Sequence, residues 1–275
     1  MSLRSDSVVR MMALSFHGGG RLKQAINLMR DQIGADGELY EGDDGALYFG
    51  VSGEYGTAHS KVSPSVGHGT VDTDGWGMHG TLTWYGSDGF YVDAQAQATW
   101  YENDLFSNTA NNGFADGKHG FGYAMSLETG KQFDLDETWS LTPQVQLMWS
   151  SVRMDGFTDA YQSRVSMDDG NSLSVRMGLS ADYRNAWTTV AGTPMKADLY
   201  GIMNVYQDFE GDASIMISDT ALKTRNDKTW GGIGWGGNLA WDDQCAFYGQ
   251  GTLNTLSHFE DSYSFMATIG FRKGW

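Results

Sequence analysis

From Phe90 the chain alternates strictly. Phe90, Val92, Ala94, Ala96, Ala98 and Trp100 are apolar, and Tyr91, Asp93, Gln95, Gln97, Thr99 and Tyr101 stand between them. A period of two marks a strand with two unlike faces. The pattern returns from Trp139, with Leu141, Pro143, Val145, Leu147 and Trp149 on one face and Ser140, Thr142, Gln144, Gln146, Met148 and Ser150 on the other. It returns again from Leu173, where Val175, Met177, Leu179, Ala181 and Tyr183 oppose Ser174, Arg176, Gly178, Ser180, Asp182 and Arg184. These runs are about twice the usual strand of about 5–6 residues.

A soluble sandwich would bury the apolar face in a core, whereas a membrane barrel would turn it to lipid and keep the polar face inside. The aromatic positions decide between them. Trp139 and Trp149 lie on one apolar face ten residues apart, as do Phe90 and Trp100. Ten residues rise roughly 33 Å, and a tilt of about 40° reduces this to roughly 25 Å, the height of a lipid-facing band between two aromatic girdles. Ala94, Ala96 and Ala98 between the brackets would fill a core poorly but suit a lipid face. Trp241 extends the aromatic set on a later segment.

Connection lengths point the same way. Short turns are expected at Glu41–Gly45, Gly86–Gly89, Asp134–Thr138 and Asp242–Gln244, with a longer link at Asn185–Met195. Polar loops alternate with them at 57–72, 103–118, 154–172, 209–227 and 255–262, the pattern of brief periplasmic turns and extended outer loops. Ten strands are clear, near 45–56, 74–86, 88–102, 120–133, 138–153, 172–185, 196–208, 228–242, 245–255 and 262–275. An eleventh near 28–40 is weaker, and within Arg21–Ile33 the spacing of Leu22, Ile26, Met29 and Ile33 also fits a helix. A first strand near 7–16 would bring the total to twelve, and an even count places both chain ends on the periplasmic side. The fold class is therefore all-β, a transmembrane antiparallel barrel of about twelve strands. Residues 1–20 form a poorly matched N-terminal segment and 21–275 the barrel domain.

Composition narrows the function classes. Thirty-four acids against 18 bases give a formal charge of −16 in 275 residues, which disfavours nucleic acid as a partner. The single cysteine, Cys245, excludes an internal disulfide and a cysteine-based zinc cluster. The opening MSLRSDSVVRMMALSF breaks its apolar run at Arg10 and shows no small-residue cleavage site, so it does not read as a signal peptide.

Four runs carry a resemblance: DTDGWGMHGTLTWYGSDGFYVDAQAQATWYENDL at 72–105, GYAMSLETGKQFDLDETWSLTPQVQLMWSSV at 122–152, RNDKTWGGIGWGGNLAWDD at 225–243 and DSYSFMATIGFRKGW at 261–275. In this order the chain, over roughly residues 33–275, resembles the C-terminal translocator domain of classical autotransporters, the type V secretion barrel of Gram-negative bacteria. The resemblance implies a twelve-stranded outer-membrane barrel that helps carry an N-terminal passenger to the cell surface. It also implies outer-membrane lipid, the barrel assembly machinery and the passenger polypeptide as partners. Tyr263, Phe265, Ala267, Ile269, Phe271, Lys273 and Trp275 alternate to a terminal aromatic, which resembles the family's assembly signal, so Phe271 and Trp275 are assigned that role. Lys273 stands where the family has an apolar residue. The family places a long passenger and a lumen helix before the first strand. Residues 1–20 hold no passenger, so an excised domain or a frame truncated at its start is expected.

Motifs for catalysis are absent. Gly232, Gly234 and Gly237 match G-x-G-x-x-G, but a turn and a further strand follow instead of the helix that a pyrophosphate needs. The six histidines form no i, i+4 zinc pair, and there is no G-x-S-x-G elbow. No catalytic residue, metal or cofactor is assigned. Parity puts Gly232, Gly234 and Gly236 on the inner face with Trp230 and Asn238, either to clear a path through the lumen or to relieve crowding in a curved wall. The inner face also carries the ionisable Glu54, His79, Asp93, Glu128, Arg176, Asp182, Arg184 and Arg272, either solvated and paired or setting the electrostatics of the pore. A secretion translocator is the function expected. A stand-alone outer-membrane pore or adhesin barrel is the alternative, and a barrel-borne hydrolase lacks its constellation.

Overall fold

The computed structural model describes residues 3–19, 22–64, 69–107, 112–158, 162, 164–167, 170–210, 213–217, 220–224, 228–241, 245–256 and 262–273. Twelve long strands make up the wall. They are β1 (Leu3–Gly19), β2 (Leu22–Gly42), β3 (Gly45–Pro64), β4 (Gly69–Gly86), β5 (Phe90–Ser107) and β6 (Asn112–Lys131). The second half comprises β7 (Trp139–Met154), β8 (Gly170–Thr188), β9 (Pro194–Glu210), β10 (Thr229–Trp241), β11 (Cys245–Leu256) and β12 (Ser262–Lys273). Each pairs antiparallel with its sequence neighbours, and β1 pairs with β12, so the sheet closes on itself. Closure removes the edges that an open sheet would expose in lipid. Among the described residues no helix is long and apolar enough to cross a membrane; the strands do so instead.

The register fixes the barrel's size. Followed across paired residues, the row from Trp139 passes Tyr183, Leu199, Gly237, Gly249 and Ile269 to Arg10. It continues through Asp31, Tyr55, Trp76, Trp100 and Phe121 and returns to β7 at Arg153. One circuit thus shifts the register by 14 residues, from 139 to 153. With twelve strands, that stagger requires a tilt of about 40° and a backbone radius of about 12 Å. Inward side chains leave a bore of roughly 12 Å, the width of one helix.

Both described chain ends lie at the end of the barrel that carries the short turns. Asp43–Asp44 joins β2 to β3, residues 87–89 join β4 to β5, and Ser87 N–H donates to the Asp44 carbonyl at 2.9 Å, tying the two turns together. Gly89 occupies the left-handed region at φ +82, where a side chain would be strained. Asp136 holds the turn before β7: its Oδ1 accepts from the Thr138 and Trp139 backbone N–H groups at 2.7 and 2.8 Å. These bonds hold the Asp136 carboxyl below the usual carboxylate range. Asp88 does the same before β5, accepting from Lys131 Nζ at 2.8 Å and from Phe90 N–H at 3.1 Å, and its carboxyl is likewise lowered. Aspartate turns therefore seat Trp139 and Phe90. The expected turn at Asp242–Gln244 lies outside the described residues.

The loop expectations need correction at the opposite end, and at the start the alternatives left open resolve to strand. The loops expected at 57–72 and 103–118 are mostly strand, because β3–β6 run on well past the outer aromatic band. Beyond that band no lipid imposes alternation, and polar cross-strand pairs hold the ladder instead: Thr73 Oγ1 to Asn103 Oδ1 at 2.7 Å, Tyr55 OH to Asp74 Oδ1 at 3.0 Å and His59 with Asp72. The regions 154–172 and 209–227 contain short strands, Phe157–Thr158, Arg164–Met167, Ala213–Ile217 and Thr220–Thr224, which pair into a second sheet. Of the two readings of Arg21–Ile33, the described residues from Leu22 follow strand, because their helical spacing loses to pairing with β1 on one side and β3 on the other. The segment that matched poorly, 1–20, contributes β1 from Leu3 to Gly19.

Candidate functional site: the inner wall

Paired residues in a sheet share a face, so one inward residue defines its whole row. The row Thr83, Asp93, Glu128, Gln146, Arg176, Tyr206 and Trp230 runs from β4 to β10. Glu54, His79, Asp182, Arg184 and Arg272 fall on the same parity in parallel rows, as do Gly232, Gly234 and Gly236. The opposite parity carries the exposed Ile33, Val51, Met78, Val145, Met177, Met203 and Ile269. Large apolar side chains thus point away from the axis, inverting the arrangement of a soluble core.

The inward charges are organised in two clusters. Glu54 accepts from Arg30 at 3.1 Å and from Gln97 at 2.7 Å, with its side chain only 5% exposed. Glu128 pairs with Arg176 and accepts from Tyr91 OH at 2.6 Å, while Arg176 also donates to Gln144 at 2.9 Å. Most of the other inward groups are also engaged. Asp93 accepts from Thr83 and Gln95 at 2.5 and 2.6 Å, and Asp182 from Thr142 and Ser180, each at 3.2 Å. His79 lies 3.4 Å from Gln95. Arg184 reaches Gln132 at 2.9 Å and Asp198 at 3.9 Å, and Arg272 is exposed near the short-turn mouth. Buried charges require such partners. Arg30, Tyr91, Gln97 and Gln144 were missed by sequence reasoning. Arg30 sits in the stretch with helical spacing, and the others were visible only as anonymous polar positions of an alternating strand.

The inner glycines are covered by their neighbours. A Cβ at Gly130 would lie 2.6 Å from the Tyr91 ring, one at Gly122 3.1 Å from Tyr101, and one at Gly236 2.7 Å from Tyr200. At Gly270 it would strike Tyr248, and at Gly232 Asn254 Oδ1. A Cβ at Gly234 would meet Ile202 at 2.8 Å. The stripe of Gly232, Gly234 and Gly236 is therefore not bare wall. Each glycine is a slot into which a side chain of the next strand lies flat.

Outward, the aromatics form two groups. Trp76 stacks on Trp100 with centroids 4.5 Å apart, Trp100 meets Phe121 at 5.4 Å, and Tyr123 meets Trp149 at 5.1 Å, all toward the long-connection end. Toward the short turns, Trp139 meets Tyr183 at 5.2 Å, and Phe271 lies 5.9 Å from both Trp241 and Phe247. Phe90 is exposed at the same end. Trp275, assigned to the assembly signal, lies outside the described residues.

A closed, inverted barrel with a polar bore matches a known family. The model of the Autotransporter beta-domain matches residues 26–252. The chain belongs to the autotransporter β-domain family. It is a transmembrane β-barrel of the bacterial outer membrane. It is 36% identical over 257 residues to the adhesin BmaC autotransporter of Brucella suis biovar 1 (strain 1330), covering 93% of this chain and 8% of that protein. It is 27% identical to the probable autotransporter YfaL of Escherichia coli (strain K12), covering 80% of this chain and 18% of that one. The autotransporter β-domain thus spans a small fraction of the length of these relatives. In fold it resembles the transport unit of the autotransporter AIDA-I from Escherichia coli, with a TM-score of 0.80 at 16% identity, covering 98% of this chain and 90% of that one. The translocator domain of NalP from Neisseria meningitidis gives a TM-score of 0.72 at 14% identity, covering 100% and 89%.

Proposed function

We propose that this autotransporter β-domain acts as the translocator that helps bring an N-terminal passenger polypeptide across the outer membrane. The observation that carries this is the bore. Twelve strands staggered by 14 residues leave a polar passage roughly 12 Å wide, enough for one polypeptide segment and too narrow for a folded domain. Inward charges engaged with wall partners favour passage, because an unpaired charge would bind a passing chain of opposite sign strongly. The domain contributes a path and no chemistry. The outward aromatics Phe90, Trp100, Trp139, Trp149 and Trp241 face the headgroup levels of outer-membrane lipid. Phe271 and Trp275 serve as the signal read by the barrel assembly machinery.

The test is display. The chain is expressed behind a signal peptide and a small protease-sensitive reporter, and intact cells are treated with protease. The reporter is expected at the surface, and deletion of Trp275 should reduce the folded, heat-modifiable barrel in outer-membrane fractions. A reporter that stays periplasmic while the barrel itself is folded in the outer membrane refutes the translocator reading.

A further inference from the structure

Trp230 is the one tryptophan among the described residues whose parity turns it inward. The others follow the lipid-facing rows. A tryptophan in a polar bore gains nothing from lipid, and this barrel has no core in which to bury it. It is nonetheless built in carefully. Trp230 stacks face to face on Tyr206 of the neighbouring strand, with ring centroids 3.6 Å apart and planes 4° from parallel. Its indole N–H donates to Asp208 at 3.2 Å, which fixes the ring's rotation. Both rings are half-buried and sit near the long-connection end, Trp230 at the second residue of β10 and Tyr206 four residues before the end of β9. Across β9 and β8, Tyr206 pairs with Arg176, so the stack adjoins the Glu128–Arg176 ion pair in a single row.

From this placement we infer that Tyr206 and Trp230 form an aromatic platform at the outer mouth of the lumen, which holds apolar and aromatic side chains of a polypeptide crossing it. The inference rests on the translocator function proposed above and adds a specificity element to it. The occupant is polypeptide because the bore admits one segment of that width. In addition, the curated relatives are far longer than this chain, so most of each relative's length lies outside the part matched here. A rigid ring pair offers contact area at little cost in side-chain entropy, and it is indifferent to which apolar residue arrives. It would act as a foothold that slows backsliding without a strong, sequence-specific bond.

The whole 275-residue chain, refolded into planar bilayers, provides the test. The probes are a Ser/Gly-rich peptide bearing spaced phenylalanines and the same peptide with every Phe replaced by Ser. Both should block the pore current transiently. Trp230→Ala and Tyr206→Ala should each shorten the dwell of the Phe-bearing peptide about three- to tenfold, the scale of one aromatic contact, and leave the Ser peptide unchanged. Trp230→Phe should retain most of the dwell. If Trp230→Ala does not refold by heat modifiability, Trp230→Leu replaces it, keeping apolar bulk without the ring. Dwell times that do not depend on residues 206 and 230 overturn the platform while leaving the translocator intact. A wild-type pore that neither peptide enters overturns the translocator reading and the platform with it.

Discussion

Val145 and Gln95 stand at the same depth on opposite faces of one wall, and an arginine at each position separates membrane barrel from soluble sandwich. Val145 lies six residues above Trp139 and four below Trp149, which at the barrel's tilt of about 40° puts it near the middle of a lipid band roughly 25 Å high. Its side chain is 45% exposed, its paired neighbour Met177 is 62% exposed, and its other paired neighbour Thr129 offers a hydroxyl that already donates to the Tyr91 carbonyl, so among the described residues paired with it no carboxylate receives a cation there. Arg at such a depth costs about 2–4 kcal/mol, or roughly 30- to 1000-fold in the folding equilibrium. Gln95 faces the bore, donates to Asp93 at 2.6 Å and lies 3.4 Å from His79. An arginine there would stay in contact with water and Asp93, and should cost less than about 1 kcal/mol. The assay is denaturant unfolding of the barrel refolded into lipid vesicles, with heat modifiability as the readout of the folded fraction. Val145→Arg should shift the midpoint several-fold further than Gln95→Arg. Equal shifts would mean that both faces meet the same medium, which no membrane barrel allows.

Two further outcomes follow from the inner wall and the turns. Arg176→Ala leaves the Glu128 carboxylate with Tyr91 as its one side-chain donor among the described residues, so the pore should gain cation selectivity, read as a shifted reversal potential in a salt gradient, and lose about 1–3 kcal/mol of stability, less than in a dry interior because the bore admits water. At the turn before β7, the Asp136 carboxyl is lowered by backbone bonds from Thr138 and Trp139, so its stabilising effect is full above the ordinary value of 3.8 and is lost as pH falls through the lower folded value; Asp136→Asn should remove that part of the acid dependence of the unfolding midpoint as pH falls through and below 3.8.

The wall was legible wherever lipid imposed a rule on it. Strands such as Trp139–Met154 and Gly170–Thr188 must keep one face apolar between the two aromatic bands, from Trp139 to Trp149 and from Leu173 to Tyr183, and period two records this. Above the outer aromatic band that constraint ends, so the upper parts of β3–β6 look like loop although they remain paired through Thr73 with Asn103 and His59 with Asp72. In β2 the helical spacing of Leu22, Ile26, Met29 and Ile33 coincided with a strand whose inward Arg30 and Gln32 meet Glu54 and Ser52. Those partners lie 24 and 20 positions away in the sequence, and no local window contains them. The inner face was therefore legible as a set of residues but not as a set of bonds. Parity placed Glu128, Arg176 and Trp230 together on the inside, yet it could not show that the first two neutralise each other or that the third stacks on Tyr206.

The same distinction accounts for the glycines. Strand number and stagger set a backbone radius of about 12 Å, and an upright tyrosine would reach roughly halfway to the axis. Tyr91, Tyr101, Tyr200 and Tyr248 all carry inward parity, and four such rings standing upright would close a bore of this size. None of them has to stand upright, because Gly130, Gly122, Gly236 and Gly270 on the adjacent strands give each ring a surface without a Cβ on which to lie. Tyr200 and Tyr91 also fix that posture at the hydroxyl, donating to Gln250 at 3.1 Å and to Glu128 at 2.6 Å. The choice between clearing a path and relieving crowding is therefore a false one for this wall. Glycine relieves crowding between strands, and the flattened rings that result are what keep the path clear.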